Sequence, residues 1–137
     1  MNQTPHWRSI SDLPVVASLL EIMLCEDEGQ YRTLRECRPR PYVLDDETVG
    51  RVIQDFTDQK ADLALYRQQL SHWMDGDLTA SQRQEVERLQ GCVSKLHELA
   101  ESVLALAEEL KQGTIERVLC KSDRELGLEF LLGKRKL

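Results

Sequence analysis

The sequence predicts an all-α protein: an antiparallel bundle of three long helices, with a long coiled-coil-like hairpin over about 46–75 and 80–112 and short C-terminal helices. Three observations predict this fold. All four prolines lie at or before Pro41, so no proline interrupts the rest of the chain. Apolar residues recur at alternating spacings of three and four from Val86 to Leu110, which places them on one helical face. Thr79 and Gln82 have the form of a capping box, a pattern that starts helices.

The first helix is predicted over about 12–37. Ser11 is suited to cap its N-terminus, and Pro14 falls in the first turn, where a missing N–H costs little. Apolar residues then recur at helical spacing: Leu13, Val16, Leu20, Met23 and Leu24. The run RPRP at 38–41 ends the helix, because proline disfavours helical backbone at the residue before it.

The second and third helices form the predicted hairpin. Asp45 is the expected N-cap of the second helix, and the turn Asp75-Gly76-Asp77 ends it. Gly113 is expected to stop the third helix. With its flanking positions, the apolar arc of the third helix spans roughly 160°. One partner helix does not need so wide an arc, so we expect the first helix to cover part of it and the C-terminal segment or a second chain to cover the rest.

The C-terminal region ends in ELGLEFLLGKRKL, at 125–137. Thr114 and Ser122 are the predicted caps of two short helical pieces. The second piece has no fully polar face, so its apolar residues are predicted to bind a partner surface: Leu126, Leu128, Phe130 and Leu131. Two interpretations stay open: the segment folds back onto its own bundle, or it docks on another chain. Residues 133–137 form a basic tail, residues 1–10 are expected to be a flexible tail, and 1–137 is one domain.

Composition excludes several classes of protein. The net charge of -6 argues against a general nucleic-acid binder. Charge is uneven, since residues 45–77 carry eight acids and three bases while residues 114–137 carry four acids and six bases. The N-terminus lacks a signal-peptide pattern, and no apolar run is long enough to cross a membrane, so a cytoplasmic location is expected. The four cysteines match no zinc or disulfide framework, and three lie beside apolar positions where burial is expected: Cys25, Cys92 and Cys120.

An arginine-rich stretch is the candidate anion site. The stretch YRTLRECRPRPY places two tyrosines around Arg32, Arg35, Arg38 and Arg40. Guanidinium groups suit phosphate and carboxylate, and the tyrosines offer rings for stacking. The alternative is structural: cations near the end of a helix complement its dipole and pair with the acidic second helix.

Carboxylates three or four residues apart raise the hypothesis of a metal-dependent nucleotide hydrolase, because such pairs on facing helices bind Mg²⁺. The candidates are Glu98 with Glu101, and Asp55 with Asp58 and Asp62. They point to the outer faces or the edges of the apolar stripes, which favours solvated surface charge. No metal ligand set and no cofactor are therefore predicted.

The sequence thus predicts a small cytosolic interaction or assembly protein, adaptor-like or chaperone-like, without catalysis. Its expected partner is another protein or a second copy of itself in a homodimer, with neither nucleic acid nor membrane as partner. Two alternatives remain: an all-α metal-dependent nucleotide hydrolase, and an anion-binding regulator at Arg32–Arg40.

Overall fold

The computed structural model describes residues 6–119. Three long helices follow one another: α1 (Leu13–Glu36), α2 (Asp46–Met74) and α3 (Ala80–Lys111). Short 3₁₀ turns at Ile10–Asp12 and Pro41–Val43 precede α1 and α2. The predicted all-α bundle is confirmed, and each long helix begins and ends within a residue of its predicted bounds. No strand occurs in the described part of the chain.

Helix α3 is the central element of the bundle. Both α1 and α2 pack closely along it, whereas α1 and α2 make far fewer close backbone contacts with each other. The residues predicted to form the α3 stripe are all buried: Val86, Leu89, Val93, Leu96, Ala100, Val103, Ala107 and Leu110. These α3 residues therefore form the central row of the core.

The core consists of two clusters at opposite ends of the bundle. One contains Leu20, Leu70 and Leu89, and includes the start of α1 and the end of α2. The other contains Leu34 and Phe56, and includes the end of α1 and the first half of α2. These pairings run α1 parallel to α3 and α2 antiparallel to both, which is the expected up-down-up order.

The caps of α2 and α3 are as predicted. The N–H of Thr48 donates to Asp45 Oδ1 at 2.7 Å. The N–H of Gln82 donates to Thr79 Oγ1 at 3.1 Å, and the Thr79 N–H donates to Gln82 Oε1 at 3.0 Å, completing the capping box. The prediction that Ser11 caps α1 is wrong, because Ser9 accepts the Ser11 N–H and caps the preceding 3₁₀ turn.

Gly113 follows the end of α3 for a different reason from the predicted one. Its φ is not in the left-handed region, and a Cβ added there would lie 2.5 Å from Pro41 Cγ. A glycine is needed because the turn before α2 packs directly against this position. After it, residues 115–119 are helical, and Thr114 Oγ1 donates to Asp46 Oδ1 at 2.6 Å.

Candidate interaction surface

Helix α1 is apolar on two adjacent sides. Its inner side is buried against the core through Leu13, Val16 and Leu20. A second row consists of Val15, Leu19 and Ile22, at spacings of four and three, and these side chains are 53%, 45% and 56% exposed. We call this row the α1 stripe. Spacings of three and four bring side chains together on one helical face, so the stripe is one continuous apolar surface open to solvent.

A groove lies beside the stripe, between α1 and α2. Its apolar walls come from Val16, Leu19 and Met23 on α1 and from Leu65 and Tyr66 on α2. It encloses about 490 Å³ and is lined by residues 6–8, α1 and α2, with none from α3. We call it the α1–α2 groove. Leu65, on its α2 wall, is 63% exposed, so the groove presents a large apolar side chain to solvent.

The N-terminal segment crosses one end of the groove and fixes a buried glutamine there. The Arg8 N–H donates to Gln69 Oε1 at 2.7 Å, and Trp73 Nε1–H donates to the Arg8 carbonyl at 2.9 Å. Gln69 is only 9% exposed, and its Nε2 is buried without a hydrogen-bond partner among the described residues. Because Oε1 already accepts from Arg8, the orientation of the amide is set, and Nε2 is a buried donor for which residues 6–119 provide no acceptor.

An aromatic pair flanks the same end. The rings of Trp7 and His72 stack with centroids 4.3 Å apart and planes 6° from parallel. Trp7 lines both the α1–α2 groove and a shallower depression on the outer side of α2. Within the predicted tail 1–10, Trp7 and Arg8 therefore both contact α2, and the flexibility of that tail stays a prediction.

A polar pair separates the two core clusters. Gln59 Nε2 donates to Asp27 Oδ2, joining α2 to α1. Asp27 is buried, and burial raises the pKa of its carboxyl, while the hydrogen bond from Gln59 opposes the rise and the charge of Glu26 adds to it. The hydrogen bond links α1 to α2, two helices that make few other close contacts with each other.

The four predicted anion-site arginines are exposed but do not share one partner. Arg38 pairs with Glu109 on α3, with both Nε and Nη2 at 3.0 Å from Oε2. The Arg35 guanidinium lies 5.7 Å from the centroid of the Tyr31 ring. Within residues 6–119, Arg32 and Arg40 form no ion pair. An anion site at Arg32–Arg40 stays a prediction, and so does the structural alternative, because the partner of Arg38 lies on α3 and not on the acidic second helix.

The carboxylates of the hydrolase hypothesis are likewise not gathered into a site. Glu101 Oε1 lies 2.5 Å from His97 Nε2 on its own helix, and Asp58 accepts from Gln54 at 2.9 Å. No group of three or more histidine, cysteine or acidic side chains suited to a metal occurs in the described part of the chain.

The cysteines differ from the expectation in one case. Cys92 is buried, and burial raises the pKa of its thiol. Cys25 is exposed, so its expected burial is wrong: it lies on the far side of α1 from the core stripe. Cys37 is half-buried, and Cys120 lies outside the described residues. The predicted partner-binding residues Leu126, Leu128, Phe130 and Leu131 also lie outside them.

Comparison with known proteins gives no relative from which a function could be carried over: no family model matches, and no curated protein or solved structure is detectably similar. No helix in residues 6–119 is both long enough and apolar enough to cross a membrane.

Two features of this surface were not predicted from the sequence. The α1 stripe could have been found, because Val15, Leu19 and Ile22 add to the predicted inner stripe and leave α1 with an apolar arc wider than one contact uses. Gln69 gave no such signal, because its burial depends on the N-terminal segment crossing α2.

Proposed function

We propose that this chain is a small helical interaction protein, an adaptor or assembly factor without catalysis, that binds another protein through the α1 stripe. The observation that carries the proposal is the exposure of Val15, Leu19 and Ile22 on one face of α1. Single exposed apolar side chains are ordinary on soluble proteins, whereas a continuous apolar row on a rigid helix is typical of a docking surface.

The spacing of the stripe indicates the kind of partner. Residues at i, i+4 and i+7 are the usual anchors of helix-to-helix recognition. Acidic side chains lie near both ends of the stripe, with Asp12 in the 3₁₀ turn before it and Glu26 on α1 after it, and Asp12 also pairs with Arg8 at 3.7 Å. A partner helix with an apolar face and basic flanking residues would complement both features.

The bundle itself supports a rigid docking role. Leu20, on the inner side of α1, is completely buried, and α1 is packed against α3 along both core clusters. A helix held in this way presents its outer row without ordering costs on binding, which favours affinity.

The native mass of the protein in extracts of the cells that make it tests the proposal. The wild-type chain, followed through a small tag at physiological abundance, is expected to elute well above its monomer mass of 15.8 kDa. Ile22→Asp is expected to shift it to the monomer position, because a carboxylate within the stripe opposes apolar docking. The control is Glu28→Gln, an exposed change on α1 outside the stripe, which should leave the complex intact.

Elution of the wild-type chain as a monomer would contradict the proposal. An unchanged complex in the Ile22→Asp variant would also contradict it. Far-ultraviolet circular dichroism of both variants separates a loss of binding from a loss of fold.

A further inference from the structure

We propose that the α1–α2 groove is the docking site for this chain's own C-terminal segment, residues 122–132, which completes the bundle as a fourth helix. The groove is distinct from the α1 stripe, although the two adjoin at Leu19. Leu19 belongs to both surfaces, so a segment in the groove would cover that residue, whereas Val15 and Ile22 do not line the groove and stay available to a partner.

The arrangement of the three helices leaves room for a fourth. Helices α1 and α2 each pack on α3 and little on each other. The groove between them has no lining from α3, so it opens on the side of α1 and α2 that α3 does not cover. In a four-helix bundle each helix contacts two neighbours, and a fourth helix in the groove would contact α1 and α2 just as α3 does.

The chain leaves α3 in a position from which it can reach the groove. Glu116 Oε2 accepts the Asp46 N–H at 2.9 Å, so residues 114–119 are held at the start of α2. From there to Leu65, α2 rises about 29 Å at 1.5 Å per residue. Residues 115–132 span roughly 27 Å if wholly helical, and the predicted break near Ser122 adds several ångströms because extended residues rise about 3.3 Å each.

The apolar character of the segment matches the groove. The segment carries Leu126, Leu128, Phe130, Leu131 and Leu132 and has no fully polar face. On a flat surface, a helix with apolar side chains on all faces would leave about half of them in water. A groove with walls on two helices covers a wider arc of the docked helix. The walls offer Leu19 and Met23 on one side and Leu65 and Tyr66 on the other.

Charge favours the same placement. The segment is followed by Lys134, Arg135 and Lys136, and residues 45–77, which include α2, carry eight acids and three bases. Asp62 itself lines the groove. A fourth helix that runs parallel to α2 and ends near Gln69 brings these cations toward Asp75 and Asp77, which follow the end of α2, where the charges are opposite.

The buried amide of Gln69 offers the segment a hydrogen-bond donor. Its Nε2 donor has no acceptor among the described residues, and Gln69 lines the groove at the end toward which a helix parallel to α2 would run. The last four carbonyls of any helix lack intrahelical donors. A helix that ends before Gly133 would present such carbonyls there, so one of them would accept from Gln69 Nε2.

Site-directed photo-cross-linking of the purified full chain tests the inference. A benzoylphenylalanine replaces the exposed Leu65, and the adduct is mapped by mass spectrometry in an equal mixture of ¹⁵N-labelled and unlabelled chains. The expected adduct joins position 65 to residues within 122–137 of the same chain, without mixed-isotope products. The same probe at Glu28, which does not line the groove, should give no adduct to these residues.

Variants of the segment sharpen the result. Phe130→Asp is expected to lower the yield of the intrachain adduct at least tenfold, and Phe130→Leu to retain most of it. Mixed-isotope adducts would overturn the inference, because a second copy would then fill the groove. Absence of any adduct beyond residue 119 would overturn it as well. The mapping on the otherwise wild-type chain decides these outcomes even if the Phe130→Asp variant loses stability.

Discussion

Asp27 on α1 and Gln59 on α2 form a hydrogen bond between the two core clusters of the bundle. The bond joins the two helices that have few other close contacts with each other. Asp27 is buried and Gln59 is half-buried. Their hydrogen bond costs desolvation energy but favours one register, because a shift along the helix axes leaves the buried carboxyl without this donor.

The pH dependence of stability should carry the signature of Asp27. Because burial raises the pKa of its carboxyl above the ordinary value of 3.8, the folded chain binds this proton more tightly than the unfolded chain does. Its contribution to the free energy of unfolding is therefore most favourable below pH 3.8 and is lost as the pH rises through the folded-state pKa. Asp27→Asn is expected to raise the free energy of unfolding at pH 8, with a gain that shrinks toward pH 4.

Urea denaturation of both proteins between pH 4 and pH 8 measures this difference. Asp55→Asn, a change at an exposed acid of α2, is the matched control and should show no such trend. A difference between wild type and Asp27→Asn that stayed constant across this range would contradict the assignment.

The two rows of α1 should differ sharply in their effect on folding. Leu20→Ala removes a completely buried side chain and is expected to lower the free energy of unfolding by about 2–5 kcal/mol. Ile22→Ala removes one of the exposed residues of the α1 stripe and is expected to change it by less than about 0.5 kcal/mol. Guanidinium denaturation of the purified chains gives both values, and equal losses would mean that Ile22 is core rather than surface.

The glycines offer a matched pair of alanine substitutions. Gly113→Ala places a methyl group 2.5 Å from Pro41 Cγ and is expected to destabilise the fold by about 1–3 kcal/mol. Gly91→Ala lies within α3 with no atom close to the new methyl, and the higher helix propensity of alanine should stabilise the fold by up to about 1 kcal/mol. Thermal melts report both signs, and a neutral Gly113→Ala would show that the turn at Pro41 moves aside easily.

The capping box of α3 gives a further measurable contribution. Thr79→Ala removes the side-chain acceptor of the Gln82 N–H and is expected to cost about 1 kcal/mol. Thr79→Ser keeps a hydroxyl acceptor and should cost much less. Denaturant midpoints of the three proteins make the comparison, and equal losses in the two variants would assign the effect to the threonine methyl group instead of the hydrogen bond.

The fold could be predicted from the sequence because its signals are local and agree with one another. The α3 repeat, the Thr79–Gln82 capping box and the absence of late prolines all favour the same helices, and the observed bounds follow them closely. The reason that position 113 requires a glycine was not predicted, because it depends on contact with Pro41, which is distant in sequence.

The interaction surface was less predictable because exposure is a property of the packed bundle. The sequence indicates which residues of α1 are apolar, but only the positions of α2 and α3 decide that Leu20 is covered while Ile22 is not. The burial of Gln69 is harder still to predict from the sequence, since it depends on Arg8 and its neighbours, which lie about sixty residues earlier in the chain.

Photo-cross-linking in the cells that make the protein tests most directly whether the α1 stripe contacts a partner. A benzoylphenylalanine at Ile22, with the same probe at Glu28 as the position control, reports which protein touches each side of α1. We predict one discrete protein adduct from Ile22 that is absent from Glu28 and that disappears when Leu19→Asp is added. No adduct from Ile22, or the same adducts from both positions, would contradict a docking role for the α1 stripe.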